Sequence, residues 1–352
     1  MKFDQRFKRS DSDPTVFSIV LTHLVVYLLI HIDDIVMASN SKKFLDKLTK
    51  SLDKAFGINH LGNLQHFLQI KITFDDKLIK LSQTRYITEL ATKYGIVDSK
   101  PKDTPAEVNL KLTKEETVDT AYPFRALLGS LLWVSRATRP DIAFAVGYIS
   151  SFANAYGHLH YKALIRTLTY LYHTRDRELV FVKAPSDTLI DIKAFSDSDW
   201  AADIVDRRSY TGSAIFVGNS LVSWMSKKQP IVSLSSCEAE YIAAAETVKS
   251  ILAVRSLIKE LITLNEPIEL YLDNTGAAAI AQKDLNNQRT KHIDVRFHFI
   301  REWVQSGTIK ILKVHTSKNT ADLFTKSLPK LTHDFHSAAF LTTPTDQLAE
   351  EE

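Results

Sequence analysis

Seventeen residues near the N-terminus, 16–32 (VFSIVLTHLVVYLLIHI), limit what this chain can become more than any other stretch. A run this apolar is almost long enough to cross a bilayer as a helix. It also fits two buried strands joined by a turn, the usual reading of β-branched residues broken by a polar pair. The residues favour strands. Val and Ile stand beside Leu throughout, Thr22-His23 breaks the run, and His31 leads directly into Asp33-Asp34. A hairpin is therefore expected, with no membrane association.

A chain of 352 residues with 45% hydrophobic and 24% charged content has material for two or more packed soluble domains. Cys237 is the single cysteine, which excludes an intrachain disulfide or a cysteine-based zinc cluster and fits a reducing, intracellular setting. Lys8, Arg9 and Asp11 are followed by no small-residue cleavage site, so no secretory signal is expected. The net charge of +3 selects no partner, but its distribution is uneven. Residues 274–328 hold nine Lys/Arg against four Asp/Glu, and the tail after Lys330 has five acids and no Lys or Arg. A basic block suits a phosphate backbone, and equally an ordinary solvated face.

Periodicity divides the chain. Phe44, Leu45, Leu48, Leu52 and Phe56 give residues 41–56 helical spacing, residues 61–81 alternate as short strands, and residues 85–94 return to helix. DSKPKDTP (98–105) reads as a linker. Helical pattern dominates 122–173, interrupted at Arg139-Pro140-Asp141, where Pro140 can open a new helix. Past Ala184-Pro185 the pattern becomes strands at 189–197, 212–217 and 221–224, a helix over 236–264 and a strand over 268–273. A short helix, a helix near 293–304, a strand over 309–314 and a final helix from about Asn319 follow. That order predicts an α/β fold in which helices cover one sheet.

Four acids fall at the ends of these elements: Asp197, Glu240, Asp273 and Asp322, separated by 43, 33 and 49 residues. Strand ends and helix starts can converge on one sheet edge. Clustered carboxylates need cations, and oxygen ligands of this kind suit Mg²⁺ or Mn²⁺. Each acid also has an ordinary reading. Asp199 shares a strand face with Asp197, so either fits as the first ligand; Asp273 can cap a helix, and Glu240 and Asp322 can be first-turn charges.

The motifs narrow this. SDSDWAADIVDRRSYTGS (196–213), SWMSKKQ (223–229), SLSSCEAEYIAAAE (233–246), YLDNTGAAAI (271–280), RTKHIDVRFHFIRE (289–302) and NTADLFTKSLP (319–329) resemble, in order, the C-terminal part of the copia-type LTR retrotransposon Pol polyprotein. The resemblance implies a ribonuclease H-like domain with a mixed sheet flanked by helices over 185–330. Its two Mg²⁺ or Mn²⁺ ions would be held by Asp197, Glu240, Asp273 and Asp322, and its substrate would be an RNA–DNA hybrid. Arg207, Arg208, Lys227, Lys228, Arg289 and Lys291 are the candidate backbone contacts. Ser235 and Ser236 read as the start of the long helix, Trp200 and Trp224 as packing residues. His315 precedes the last acid but is not required by the copia pattern, and His292 and His298 are poorly spaced for one metal.

The N-terminal half resembles the same polyprotein through FKRSDSDPTVF (7–17), HIDDIVMAS (31–39), FGINHLGNLQHFLQIKI (56–72), LSQTRYI (81–87), YPFRALLGSLLWVSRATRPDIAFAV (122–146) and HYKALIRTLTYL (160–171). This implies an α+β partial reverse transcriptase, the end of the palm and the thumb, over 1–105. A helical connection follows over 106–184, and an acidic, disordered tail occupies 331–352. Asp33 and Asp34 match two palm acids, with His31 in place of the family's Tyr and Gln69 in place of a Gly. A third palm Asp lies, in the family, upstream of where this chain begins, so Asp33 and Asp34 are expected to be a vestigial site. The expected activity is hybrid ribonuclease without polymerase. A tRNA primer or element RNA is a further partner, in cytoplasmic particles or the nucleus. The alternative is a decayed or co-opted fragment that binds nucleic acid without cutting.

Overall fold

The computed structural model describes residues 7–184, 189–274 and 294–342. They fall into two compact units, residues 1–68 with 252–264, and residues 69–251 with 265–352.

The first unit is built on an antiparallel sheet of four strands in chain order: β1 (Lys8–Arg9), β2 (Val16–Leu21), β3 (Leu24–His31) and β4 (Asp34–Ser39). The apolar run forms the expected hairpin, pairing Leu21 with Leu24 across Thr22-His23. It is not buried on both faces. Ile19, Val26 and Leu28 lie inside while Val20 and Leu21 face out, so period-2 geometry divides a continuous apolar run between core and surface. A second tight hairpin pairs His31 with Asp34 and leaves Ile32 at its tip with φ 52°. Helix α1 (Lys42–Phe56) starts on Ser41, whose side chain accepts from Phe44 N, and stops at Gly57 in the left-handed region. Of its five apolar residues only Leu52 is buried, and Phe56 is exposed. Strand β5 (His66–Phe67) follows. Tyr27 donates to Leu261 O at 2.5 Å and Ser12 N to Glu260 at 3.1 Å, which joins residues 252–264 to this unit.

The second unit opens with β6 (Ile70–Phe74) and β7 (Leu78–Ser82), and β7 also pairs antiparallel with β8 (Leu179–Val182). Between them lie α2 (Thr84–Lys93), α3 (Phe124–Ala137), a 3-10 turn opened by Pro140, α4 (Ala143–Ser150) and α5 (His158–His173). Ile87, Leu90 and Ile96 share one core with Leu127, Leu131, Val146 and Leu164. The chain therefore does not divide at 105, because α2 buries its apolar face against the helices that follow. Nor does it divide at 184, since Tyr210 belongs to the same core and Trp224 Nε1 donates to Ser135 O at 2.9 Å.

The remaining elements are β9 (Ile192–Asp199), β10 (Tyr210–Val217), β11 (Ser220–Lys228), α6 (Ser236–Leu261), β12 (Ile268–Leu272), α7 (Asp294–Gln305), β13 (Ile309–Lys313) and α8 (Lys330–Ser337). The sheet runs β11-β10-β9-β12-β13. β9, β10 and β11 are antiparallel, and β12 runs parallel to both β9 and β13. This is the expected mixed sheet with helices. Two expectations change. The last acid sits not in an α-helix but in a 3-10 turn, Thr320–Phe324, capped by the Asn319 side chain. Residues 331–342 are not a disordered tail: α8 packs down and Phe340 and Leu341 are buried. The cause is a buried polar anchor. Arg139 grips Asp141 through two nitrogens at 2.9 and 2.7 Å, Tyr170 donates to the same carboxylate at 2.7 Å, and the ring of His333 on α8 lies 3.2 Å from Asp141 O. Among the described residues no helix is long and apolar enough to cross a membrane.

Candidate metal centre

Two neighbouring strands and one helix bring three carboxylates together. Asp197 lies near the end of β9, Asp273 follows the last residue of parallel β12, and Glu240 lies in the early turns of α6. One oxygen from each falls within 4.8 Å of the other two. The start of α6 is firmly held. Glu238 N donates to Ser235 Oγ at 3.1 Å and Leu234 N to Glu238 at 2.7 Å, which makes Ser235 the expected helix cap. Buried Gln229 donates to Ala239 O at 2.9 Å, tying the helix to the end of β11.

Asp197 is the acid in the cluster and Asp199 is not, although both carboxyls are pushed up by burial. Asp197 rises to about 7 through burial and then the charge of Asp322, against a 2.6 Å hydrogen bond donated by Thr325 Oγ1. Burial, followed by the charges of Asp197 and Asp273, lifts Glu240 to about 9. Its Oε1 accepts from Ser198 N at 3.2 Å, while its buried Oε2 has no hydrogen-bond partner among the described residues. Three converging oxygens, one of them on a buried carboxylate with an orphaned atom, fit a divalent cation of the Mg²⁺ or Mn²⁺ class.

Asp322 stands beside this trio and outside it. Its Oδ1 accepts from Lys326 Nζ at 2.7 Å. Burial works against the Lys326 charge, and the hydrogen bond and charge of Asp322, followed by Asp197 and Asp199, more than offset it. The turn carrying Asp322 reaches the sheet because Gly212, the register partner of Asp197, has no side chain. A Cβ there would stand 2.5 Å from Ala321 O and 2.7 Å from Thr325 Cγ2. Asn319 anchors the same turn by donating to Ser196 O at 3.0 Å. Thr325, Lys326, Asn319 and Gly212 are the site-building residues that motif reading passed over; all lie inside the quoted motifs, but only contact reveals their work.

The expected basic contacts divide. Lys228 already has protein partners: its ammonium bridges Asp203 at 2.5 Å and Asp206 at 3.0 Å, where it neutralises a buried carboxylate. Arg208 lies 3.7 Å from Asp206 and Lys227 3.8 Å from Glu246, looser pairs on more exposed side chains. Arg207 is exposed with φ 58°. Arg289, Lys291 and His292 lie outside the described residues. His315 is exposed and accepts from Ser317 N, capping a short turn, and His298 is exposed on α7. Trp224 packs as expected, whereas Trp200 is 48% exposed with Nε1 donating to Ser233 O. In the first unit Asp33 and Asp34 are both exposed at the hairpin tip. Among the described residues no third acid or histidine gathers with them.

A family model described as reverse transcriptase (RNA-dependent DNA polymerase) matches residues 1–108. The retrovirus-related Pol polyprotein from transposon TNT 1-94 of Nicotiana tabacum is 35% identical over 94% of this chain, which spans 26% of that polyprotein's length. A putative transposon Ty5-1 protein of Saccharomyces cerevisiae is 31% identical over 64% of this chain and 74% of its own length. Among solved structures, LC11-RNase H1 in complex with an RNA/DNA hybrid aligns with a TM-score of 0.31 and 14% identity, covering 38% of this chain and 94% of that one.

Proposed function

The chain belongs to the retrovirus-related Pol polyproteins of copia-type transposons, and from that premise we propose that its mixed-sheet region is a metal-dependent ribonuclease cutting the RNA strand of an RNA–DNA hybrid. The observation that carries the reading is the convergence of Asp197, Glu240 and Asp273 within 4.8 Å. Divalent ions held there would supply an activated water and charge neutralisation at the leaving oxygen. The protein's part is positioning. Thr325 fixes the Asp197 carboxylate, Ser198 N fixes one oxygen of Glu240, and the turn at Asn319 presents Asp322. Arg207, Arg208 and Lys227 are the described cations we assign to the hybrid backbone. Asp33 and Asp34 receive no catalytic step.

The test is cleavage of a hybrid labelled on its RNA strand by the full chain in Mg²⁺. Internal cuts are expected, and Asp273→Asn or Glu240→Gln should slow them by about 100-fold or more, since each removes a metal ligand. Absence of cutting, or cutting unchanged in both variants, overturns the proposal. Salt-sensitive hybrid binding that survives these substitutions without turnover would instead identify a binding module.

A further inference from the structure

The four acids are not equivalent. Three converge closely enough to share one ion, and the fourth, Asp322, already has a cation in hydrogen-bond contact. Lys326 lies one turn beyond Asp322, with its Nζ 2.7 Å from Oδ1 and the charges of Asp197 and Asp199 also acting on it. Asp322 is 9% exposed in its side chain against 39% for Lys326, so Lys326 is the solvent-accessible member of the pair. Thr325 spends its hydroxyl on Asp197 Oδ2, the neighbouring ligand oxygen. Thr325 and Lys326 thus contact oxygens of Asp197 and Asp322, whereas among the described residues Oε2 of Glu240 has no hydrogen-bond partner.

We propose that Lys326 is a resident cation of the centre: the nucleic-acid-free protein holds one divalent ion at Asp197, Glu240 and Asp273, and a second must displace Lys326 from Asp322. This rests on the metal-centre reading above and sharpens it, because the second ion becomes conditional. A monovalent ammonium tethered by a four-carbon stem can swing off Asp322 without unfolding the turn, which Asn319 and Gly212 hold independently. Lys326 would then limit loading of the second ion until a phosphate draws the ammonium or the ion into place.

The experiment counts bound Mn²⁺ by electron paramagnetic resonance on the full chain without nucleic acid. Wild type should bind one ion per chain, with a second only at about tenfold higher Mn²⁺ or more. Lys326→Met should bring the second affinity close to the first, while Lys326→Arg keeps the wild-type pattern. Two equal sites in wild type, or a second affinity unmoved by Lys326→Met at an unchanged melting temperature, overturns the inference; so does the absence of any bound Mn²⁺. Lys326→Gln serves if the Met variant does not fold, and the wild-type count decides by itself if neither does. The ribonuclease reading is judged separately: the expected counts without hybrid cleavage would sink that reading and leave this one standing.

Discussion

At the residue scale the centre is a store of unfavourable charge that protons or cations must relieve. Asp197 and Glu240 keep protons in the fold up to about 7 and about 9, and release them near 3.8 and 4.5 when unfolded. At these two groups the folded protein therefore binds more protons than the unfolded chain between those limits, and their contribution to metal-free stability falls as pH rises from about 4 to about 9. Melting curves in EDTA should show that decline, and added Mg²⁺ should reverse much of it above pH 7, because only the folded chain gathers the ligands. The same argument sets the sign for Glu240→Gln. It should raise the metal-free melting temperature at pH 8 while abolishing the rise with Mg²⁺, since it removes together a ligand and a buried carboxyl that must take up a proton to fold at that pH. A variant that melts lower and still responds to Mg²⁺ would refute this account. Lys228 teaches the converse: a partly exposed cation relieves the charge of buried Asp203.

At the element scale the decisive contact is between β10 and the turn Thr320–Phe324. Gly212 is required there by space and not by backbone angle. Gly212→Ala should cost roughly 1–3 kcal/mol through overpacking, read from denaturant curves. It should also weaken Mg²⁺-dependent cleavage more than the stability loss explains, because Thr325 and Asp322 ride on the displaced turn. A variant with wild-type Mg²⁺ half-saturation would show that the turn is not what sets the centre. The second element-scale device is the Arg139–Asp141 pair between α3 and α4, joined by Tyr170 of α5 and His333 of α8. Burial opposes the Asp141 charge, and the Arg139 guanidinium outweighs it, holding the carboxyl down at about 2. Arg139→Met should destabilise by about 3–5 kcal/mol, because an unpaired charge is left inside. Replacing both partners with apolar residues should cost less, and equal losses would refute the pairing argument.

At the scale of the whole molecule the mixed sheet does not stand alone. Tyr210 and Trp224 bury themselves against the helices before it, and Phe340 and Leu341 close the core from beyond residue 330. A fragment of residues 185–330 should therefore aggregate or bind hydrophobic dye, whereas residues 69–342 keep the shared core; a sharp cooperative melt of the shorter fragment would refute this. The amino-acid sequence by itself determined the elements and their kind. A β-branched apolar run broken at Thr22-His23 specified the hairpin at 16–32, Pro140 specified the helix break, and the ordered motifs named Asp197, Glu240, Asp273 and Asp322, because composition and motif order are local properties. Only the tertiary structure grouped Asp197 and not Asp199 with the other acids, set Asp322 apart with Lys326, paired Lys228 with Asp203 and packed residues 330–337 around His333. The reason is physical. Which charges meet, and which are already neutralised, depends on residues 22 to 192 positions apart that share a contact only after the chain has packed.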